Sequence, residues 1–134
     1  MKTAGERIFM FLIGAFLYSL IEIAARGFTH WTMFIAGGVC LALMYDIDRL
    51  MGNMPLGVKC IAGAVLITAV EFISGIIVNI RCSWNVWDYS DKPLNFMGQI
   101  CFPYSVGWFF LSFAAYGICF AARKKFSGQQ HYFR

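Results

Sequence analysis

Charged residues are scarce in this sequence. Of its 134 residues, 13% are charged and 60% are hydrophobic, whereas about 25% of the residues of an average soluble domain are charged. A soluble domain of this length cannot bury so much apolar surface. The formal net charge of +4 fits attraction to anionic headgroups, and we expect no nucleic-acid partner. The composition therefore excludes an ordinary soluble domain and predicts a protein whose partner is the lipid bilayer.

The short motifs of common enzymes are also missing. No G-x-S-x-G, H-E-x-x-H or paired C-x-x-C occurs, and the P-loop spacing of Gly52 and Gly57 is followed by Val58 and Lys59 instead of Lys-Ser or Lys-Thr. The two histidines fall on opposite sides of the membrane in the topology below, which argues against a histidine metal pair. We therefore expect no metal and no cofactor, and an enzyme only if carboxylates carry the reaction.

What the sequence has instead is long apolar runs. Four of them reach the length that a helix needs to cross the ~30 Å hydrocarbon core of a bilayer. They are residues 8–25, 28–45, 60–80 and 104–122. The second run is the least apolar of the four, because it contains His30, Gly37 and Gly38. The runs predict an all-α membrane bundle of four transmembrane helices in a single domain, residues 1–134.

Basic residues predict the orientation of this bundle. With four spans, both termini share one side, and eight of the eleven Lys and Arg residues fall there. The other side receives only Arg26, Arg81 and Lys92. Because cytoplasmic loops are enriched in Lys and Arg, we expect a multi-pass protein of the cell membrane with both termini in the cytoplasm.

The loop between the third and fourth runs is rich in aromatic residues. Trp84, Trp87 and Tyr89 suit a segment that lies at the level of the headgroups. Cys82 and Cys101 also fall on this outer side, where a disulfide between them is geometrically possible.

Two prolines divide the end of this loop. Pro93 begins a new element and Pro103 interrupts it. We expect a short interfacial or re-entrant helix over residues 94–102, followed by the fourth span. The alternative is one long helix over residues 95–122 that is kinked at Pro103.

Three acidic residues are the first candidates for function. Glu71 lies inside the third run, where a carboxylate costs at least about 2.5 kcal/mol by insertion scales and usually faces protein or water. Glu22 and Arg26 are spaced i, i+4 near the outer end of the first run, and Asp88 lies in the outer loop. Alternating spans bring these groups to one end of the bundle, with Arg81 as a further counter-charge. The sequence thus predicts an acidic and aromatic cluster in the outer half.

Asp88 stands between Trp87 and Tyr89, with Asn95 shortly after. An aspartate flanked by rings can bind a cation, or it can hold the loop by hydrogen bonds to its own backbone. The predicted ligand-binding or coupling residues are Glu22, Arg26, Glu71, Trp87, Asp88, Tyr89 and Asn95. Ion pairing that pins the helices together, a ligand or ion site, and catalysis all remain open for them.

Several stretches together resemble a family of small bacterial membrane proteins described as putative ABC-transporter type IV. The resemblance covers most of the chain after Tyr18. The residues that carry it are Glu22, Arg26-Gly27, Glu71, Trp87-Asp88-Tyr89-Ser90, Asn95-Phe96-Met97-Gly98-Gln99-Ile100 and Trp108. Members often have a P-x-Y-G segment after Arg-Gly, where this chain has residues 28–33. The resemblance implies a permease-like role.

Three functions are therefore considered. The first is a transporter or permease-like protein, because an acid at mid-membrane fits substrate or proton coupling. The alternatives are a membrane-embedded binding or regulatory subunit, and a carboxylate-based enzyme that acts on a lipid-linked substrate. We expect a homo-oligomer or a partner membrane protein, since four spans around a pathway leave little wall. The ligand would be a small molecule or a lipid.

Overall fold

Over residues 2–132, the chain is folded into four α-helices that follow one another along the sequence. Their bounds are α1 Lys2–Arg26, α2 Trp31–Met51, α3 Leu56–Gly75 and α4 Phe102–Tyr132. This computed structural model describes the backbone of residues 2–132 and the side chains of residues 4–126. The side chains of Lys2 and His131 and the whole of Arg134, which entered the sequence analysis, lie outside the described residues. The prediction of an all-α fold is confirmed.

Helices α1 and α2 pack antiparallel at very close range. A Cβ atom placed on Gly14 would lie 2.6 Å from the carbonyl oxygen of Gly37, and one on Gly37 would lie 2.5 Å from the Cβ of Tyr18. Gly38 meets the ring of Phe11 in the same way, at 2.7 Å. Small residues are needed wherever helix backbones approach so closely in a membrane protein. These glycines therefore serve the helix contact.

Helices α3 and α4 form the second antiparallel pair. The hydroxyl of Tyr116 donates to the carbonyl oxygen of Lys59 at 2.8 Å, and the hydroxyls of Thr68 and Ser105 lie 2.8 Å apart. The buried core cluster joins this pair to α1 and α2. Its members are Met10, Leu41, Met44, Tyr45, Cys60, Tyr116, Cys119 and Ala122. The four helices thus share one core toward the end of the bundle where α1 begins.

Three of the helices are long and apolar enough to cross a membrane. They cover Ala4–Arg26, Leu56–Arg81 and Phe102–Phe126 and include the predicted first, third and fourth runs. Their surfaces carry large exposed apolar side chains such as Val65 and Phe110, which are 65% and 64% exposed. Apolar surface of this kind is solvated by lipid and not by water. The chain is therefore a multi-pass membrane protein.

The second predicted run corresponds to α2, which is not among those three helices. The helix begins at Trp31, so the run was placed too early at its start. His30 is extended, and its side chain accepts a hydrogen bond from the backbone N–H of Thr32 at 3.3 Å. A side-chain acceptor at this position caps the start of a helix. Of the four helices, three are thus candidate spans.

A π-helical segment, Ile76–Arg81, continues α3 into the loop. After the loop comes a small antiparallel hairpin, β1 Asn95–Phe96 and β2 Ile100–Cys101. The predicted short helix over residues 94–102 is therefore wrong, and so is the alternative of one long kinked helix. The positive φ angles of Leu94, Met97 and Gly98 are incompatible with a right-handed helix.

Helix α4 begins at Phe102, which places Pro103 in its first turn. Proline is favoured there because its missing N–H has no partner to lose. Cys82 and Cys101 are free thiols, Cys82 exposed and Cys101 buried, so the disulfide considered for them is not formed.

Candidate functional site

A cavity opens at the end of the bundle that carries the long loop. Its volume is about 540 Å³, and we call it the loop cavity. The end of α1, the loop and the start of α4 form its walls. Its lining residues include Tyr18, Glu22, Arg26, Trp87, Asp88, Tyr89, Asp91, Lys92, Tyr104 and Trp108. Five of the predicted site residues, Glu22, Arg26, Trp87, Asp88 and Tyr89, are thus placed around one space.

Glu22 and Arg26 form an ion pair at the wall of the loop cavity. Nη1 of Arg26 lies 3.1 Å from Oε2 of Glu22, one helical turn away on α1. The other guanidinium nitrogen donates to the backbone carbonyl oxygen of Val86 in the loop. The guanidinium also lies 4.5 Å from the ring centre of Phe28, a cation–π distance. Arg26 therefore binds the loop to α1 while it compensates the charge of Glu22.

Glu71 does not line the loop cavity but lies directly behind one of its walls. Its Oε2 accepts a hydrogen bond of 3.1 Å from the indole N–H of Trp108, and its side chain is buried. Trp108 lines the cavity on its other side and meets the ring of Tyr18 edge to face, with 6.0 Å between ring centres. The indole thus connects the carboxylate of α3 to the cavity.

Asp88 and Asn95 shape the loop by bonding to its own backbone. Oδ1 of Asp88 accepts the N–H of Ser90 at 2.9 Å, and the hydrogen bonds from Ser90 lower the pKa of Asp88. The amide of Asn95 donates to the carbonyl oxygens of Lys92 at 2.9 Å and of Ser90 at 3.3 Å, and it accepts the N–H of Gly98 at 3.1 Å. Of the predicted site residues, Asn95 and Glu71 are the two that do not border the cavity.

Aromatic rings complete the cavity wall. The rings of Tyr89 and Tyr104 stack with centres 4.9 Å apart and an angle of 23° between their planes. Burial raises the pKa of Tyr89 above its usual value, so the phenol stays neutral. Trp87 is buried, and its indole N–H donates to the carbonyl oxygen of Gln99 at 2.9 Å. These rings present faces against which a cation can pack.

The family model described as putative ABC-transporter type IV matches residues 9–131. The chain belongs to this family. The match includes parts of all four helices and the whole loop. It begins earlier than the resemblance, which covers most of the chain after Tyr18. No solved structure matches the chain.

Two residues that support the loop, Asn79 and Gln99, were not among the site residues predicted from the sequence. Oδ1 of Asn79, within the π-helical segment, accepts the N–H groups of Val86 at 2.7 Å and Trp87 at 3.3 Å. Its amide donates to Oε1 of Gln99 at 2.8 Å. Both side chains are buried, and a Cβ on Gly75 would lie 2.5 Å from that same oxygen. A polar Asn near the end of an apolar run was the available signal, and π-helical turns often accompany functional sites.

Trp108 is a third residue to which the sequence analysis gave no role in the site, since it was noted there only as part of the resemblance. A tryptophan in an apolar run gives no sign of its partner, because the indole N–H finds Glu71 across 37 positions of sequence. Arg81, expected as a further counter-charge, is exposed and takes part in none of the ion pairs among the described side chains. No group of three or more His, Cys, Asp or Glu side chains that could hold a metal occurs within the described part of the chain.

A second polar cluster lies at the opposite end of the bundle, and sequence reasoning did not find it. Asp48 of α2 pairs with Lys59 of α3 at 2.7 Å and with Arg123 of α4. Nearby, Glu6 of α1 accepts the hydroxyl of Tyr45 at 2.9 Å. We call these residues the far-end cluster. It joins all four helices, and its carboxylates are ion-paired or hydrogen-bonded, as a buried polar contact that stabilises helix packing requires.

Proposed function

We propose that this protein is a permease-like transport protein whose substrate site is the loop cavity. One observation carries the proposal. An ion-paired carboxylate, a second carboxylate behind an indole, and several aromatic faces converge on one space at one end of a bundle of apolar helices. Buried ionisable groups inside membrane proteins face the bundle interior and commonly mark substrate or ion pathways. The family name points to the same class of activity.

In this proposal α2 crosses the membrane as a fourth span. The closely packed glycines Gly14 of α1 and Gly37 and Gly38 of α2 support this, because they hold α2 directly against an apolar helix. Both termini then lie in the cytoplasm of the cell membrane, and the loop cavity faces the exterior. A second copy of the chain or a partner membrane protein completes the pathway, since four helices enclose too little wall.

Glu71 has the role of a coupling group in this mechanism. Its carboxylate receives the indole N–H of Trp108, whose ring borders the cavity. A ligand that displaces the indole changes the hydrogen bonding of Glu71, so occupancy of the cavity and the protonation of Glu71 are linked. Glu22 and Arg26 then supply the charges that a ligand meets first.

One specific observation favours a second candidate, the membrane-embedded binding or regulatory subunit. The hydrogen-bonding capacity of Asn95 and part of that of Asp88 is taken up by the loop itself. A loop built so rigidly suits recognition of a partner or a headgroup. The carboxylate-enzyme alternative has less support, because Glu71, the buried acid among its candidates, does not border the cavity.

The test compares cells or vesicles that contain the wild-type protein with those that contain Glu71→Gln. Glutamine keeps the shape and the hydrogen bond to Trp108 but removes the charge and proton exchange. The variant should reach the membrane at normal levels and lose the changes in small-molecule and lipid content that wild-type protein causes, measured by mass spectrometry. Glu6→Gln, the same change in the far-end cluster, is the matched control and should keep them. Full activity of a stable Glu71→Gln would contradict the coupling role.

A further inference from the structure

An apolar crevice of about 280 Å³ lies between α1, α2 and α4, deeper in the bundle than the loop cavity. Leu17, Leu41, Met44, Ile67 and Ala115 contribute to its lining. Apart from hydroxyl, thiol and indole groups, its walls are hydrocarbon. A crevice with such walls suits a hydrocarbon chain and gives no partner to a polar molecule.

The crevice and the loop cavity adjoin each other. Tyr18, Ile21, Trp108 and Leu111 line both of them. The two spaces therefore meet at the edge-to-face pair of Tyr18 and Trp108. A single elongated molecule lying across this pair would have one end among charges and rings and the other end among apolar side chains.

The crevice also lies along the seam between α1 and α4, where the contact is far less extensive than the contact between α1 and α2. Leu17 and Ile21 of α1 and Leu111 and Ala114 of α4 border this seam and are exposed. In a bilayer, these residues face lipid. A molecule dissolved in the membrane can therefore reach the crevice sideways.

The charges around the loop cavity identify the polar end of such a molecule. Three carboxylates, Glu22, Asp88 and Asp91, line the cavity against two cations, Arg26 and Lys92. Arg26 is already engaged by Glu22 and by the loop backbone. Neither Asp88 nor Asp91 has an ion-pair partner among the described side chains. Carboxylates beside aromatic faces are the surroundings in which proteins bind ammonium groups.

We propose that the loop cavity and the apolar crevice are two halves of one site, and that this site takes an amphiphile with an alkylammonium head and a hydrocarbon tail. The proposal rests on the proposed function and names the class of its substrate. The head lies between Asp88, Asp91 and the tyrosine rings. The tail passes Tyr18 and Trp108 into the crevice, and the molecule enters from the bilayer between α1 and α4.

The test measures binding to the full chain in lipid nanodiscs, with empty nanodiscs to subtract partitioning. The probes are dodecyltrimethylammonium, tetramethylammonium as the head alone, and dodecanoate as the same tail with an opposite charge. Dodecyltrimethylammonium should bind at least about tenfold more tightly than tetramethylammonium, because burying the tail contributes to its affinity. Dodecanoate should bind at least about tenfold more weakly, because its carboxylate meets the carboxylates of the cavity.

Variants separate the two halves of the site. Ala114→Phe fills the crevice from its exposed edge. It should weaken the binding of dodecyltrimethylammonium by about tenfold or more, since the buried tail loses its space. The affinity for tetramethylammonium should stay within about twofold of the wild-type value. Ala121→Phe, at an exposed alanine of α4 outside the lining of both spaces, is the control and should change neither. Asp91→Asn should weaken the binding of both cations. Ala114→Leu repeats the test if the larger side chain prevents folding.

The outcomes distinguish this inference from the proposed function. Equal affinities for the two cations, or the absence of an effect in either Ala114 variant, would contradict an amphiphilic ligand with its tail in the crevice. The loop cavity would then still bind a cation. Equal binding of dodecanoate would overturn the ammonium head. Absence of cation binding would overturn the inference as a whole, whereas the coupling role of Glu71 in the proposed function fails if a stable Glu71→Gln keeps the wild-type effect on cell contents.

Discussion

The indole nitrogen of Trp108 and Oε2 of Glu71 are 3.1 Å apart, and this hydrogen bond joins α4 to α3. Among the described side chains it is the one hydrogen bond that Glu71 makes. Glu71 as a whole is 7% exposed, so water contributes little to the solvation of its side chain. The position of Glu71 therefore depends on a residue that also forms the wall of the loop cavity.

Trp108→Phe should destabilise the protein by about 1–3 kcal/mol, because the buried carboxylate of Glu71 loses its donor while the ring is largely kept. Thermal unfolding of the purified protein measures the effect. Trp84→Phe, at a half-exposed tryptophan of the loop, is the control and should change stability by less than about 0.5 kcal/mol. Adding Glu71→Gln to Trp108→Phe should recover part of the loss, since the unpaired charge is then gone. Strictly additive effects would show that the two side chains do not interact.

Asp48→Asn should destabilise the protein by about 3–5 kcal/mol, because it leaves Lys59 and Arg123 facing each other without their shared carboxylate. The side chains of Asp48 and Lys59 are only 11% and 14% exposed. Denaturant or thermal unfolding measures the loss. Asp46→Asn breaks the more exposed pair with Arg7 and should cost less than about 1 kcal/mol. Similar effects of the two variants would mean that the far-end cluster does not fasten the helices.

Gly98→Ala should destabilise the hairpin by about 1–2 kcal/mol, because Gly98 has a φ of +71° and a Cβ there would lie 3.0 Å from Oδ1 of Asp88. Faster proteolysis of the loop and a lower melting temperature should accompany the change. Gly117→Ala is the matched control. Nothing lies within 4 Å of a Cβ at Gly117, so alanine should stabilise helix α4 by roughly 0.5–1 kcal/mol. A harmless Gly98→Ala would show that the loop is not held in this conformation.

Ser90→Cys should react with a membrane-impermeant thiol reagent on intact cells, whereas Asn53→Cys should react only after permeabilisation. The reason is the excess of Lys and Arg on the side that carries both termini. The variants are made in a Cys82→Ser background, because Cys82 is itself exposed. Unaltered Cys82 in the parent protein serves as a positive control for the outer side. The reverse labelling pattern would invert the proposed orientation, and equal labelling of both positions would contradict a single orientation.

The sequence alone was enough for the class of fold and for the neighbourhood of the site. Apolar runs of this length have one stable arrangement in lipid, a helix that satisfies its own backbone. The first, third and fourth runs accordingly lie inside the three helices that are long and apolar enough to cross a membrane. The family could be predicted as well, because its residues stand in fixed motifs. Successive spans cross the membrane in opposite directions, so the order of the runs alone predicts that Glu22, Arg26 and Asp88 lie at the same end of the bundle.

Tertiary structure decided everything that depends on pairs distant in sequence. Trp108 became the partner of Glu71, and Asp48 the partner of Arg123, because helix packing chose one face of each helix to meet the other. The hairpin of residues 95–101 is held through Gln99 by Asn79 of the π-helical segment, which also accepts the N–H of Val86 in the loop. No local propensity contains these contacts. Hydrophobicity acts on each segment separately, whereas a hydrogen bond between helices exists only once both are in place, and for that reason the helices were predictable and their polar partners were not.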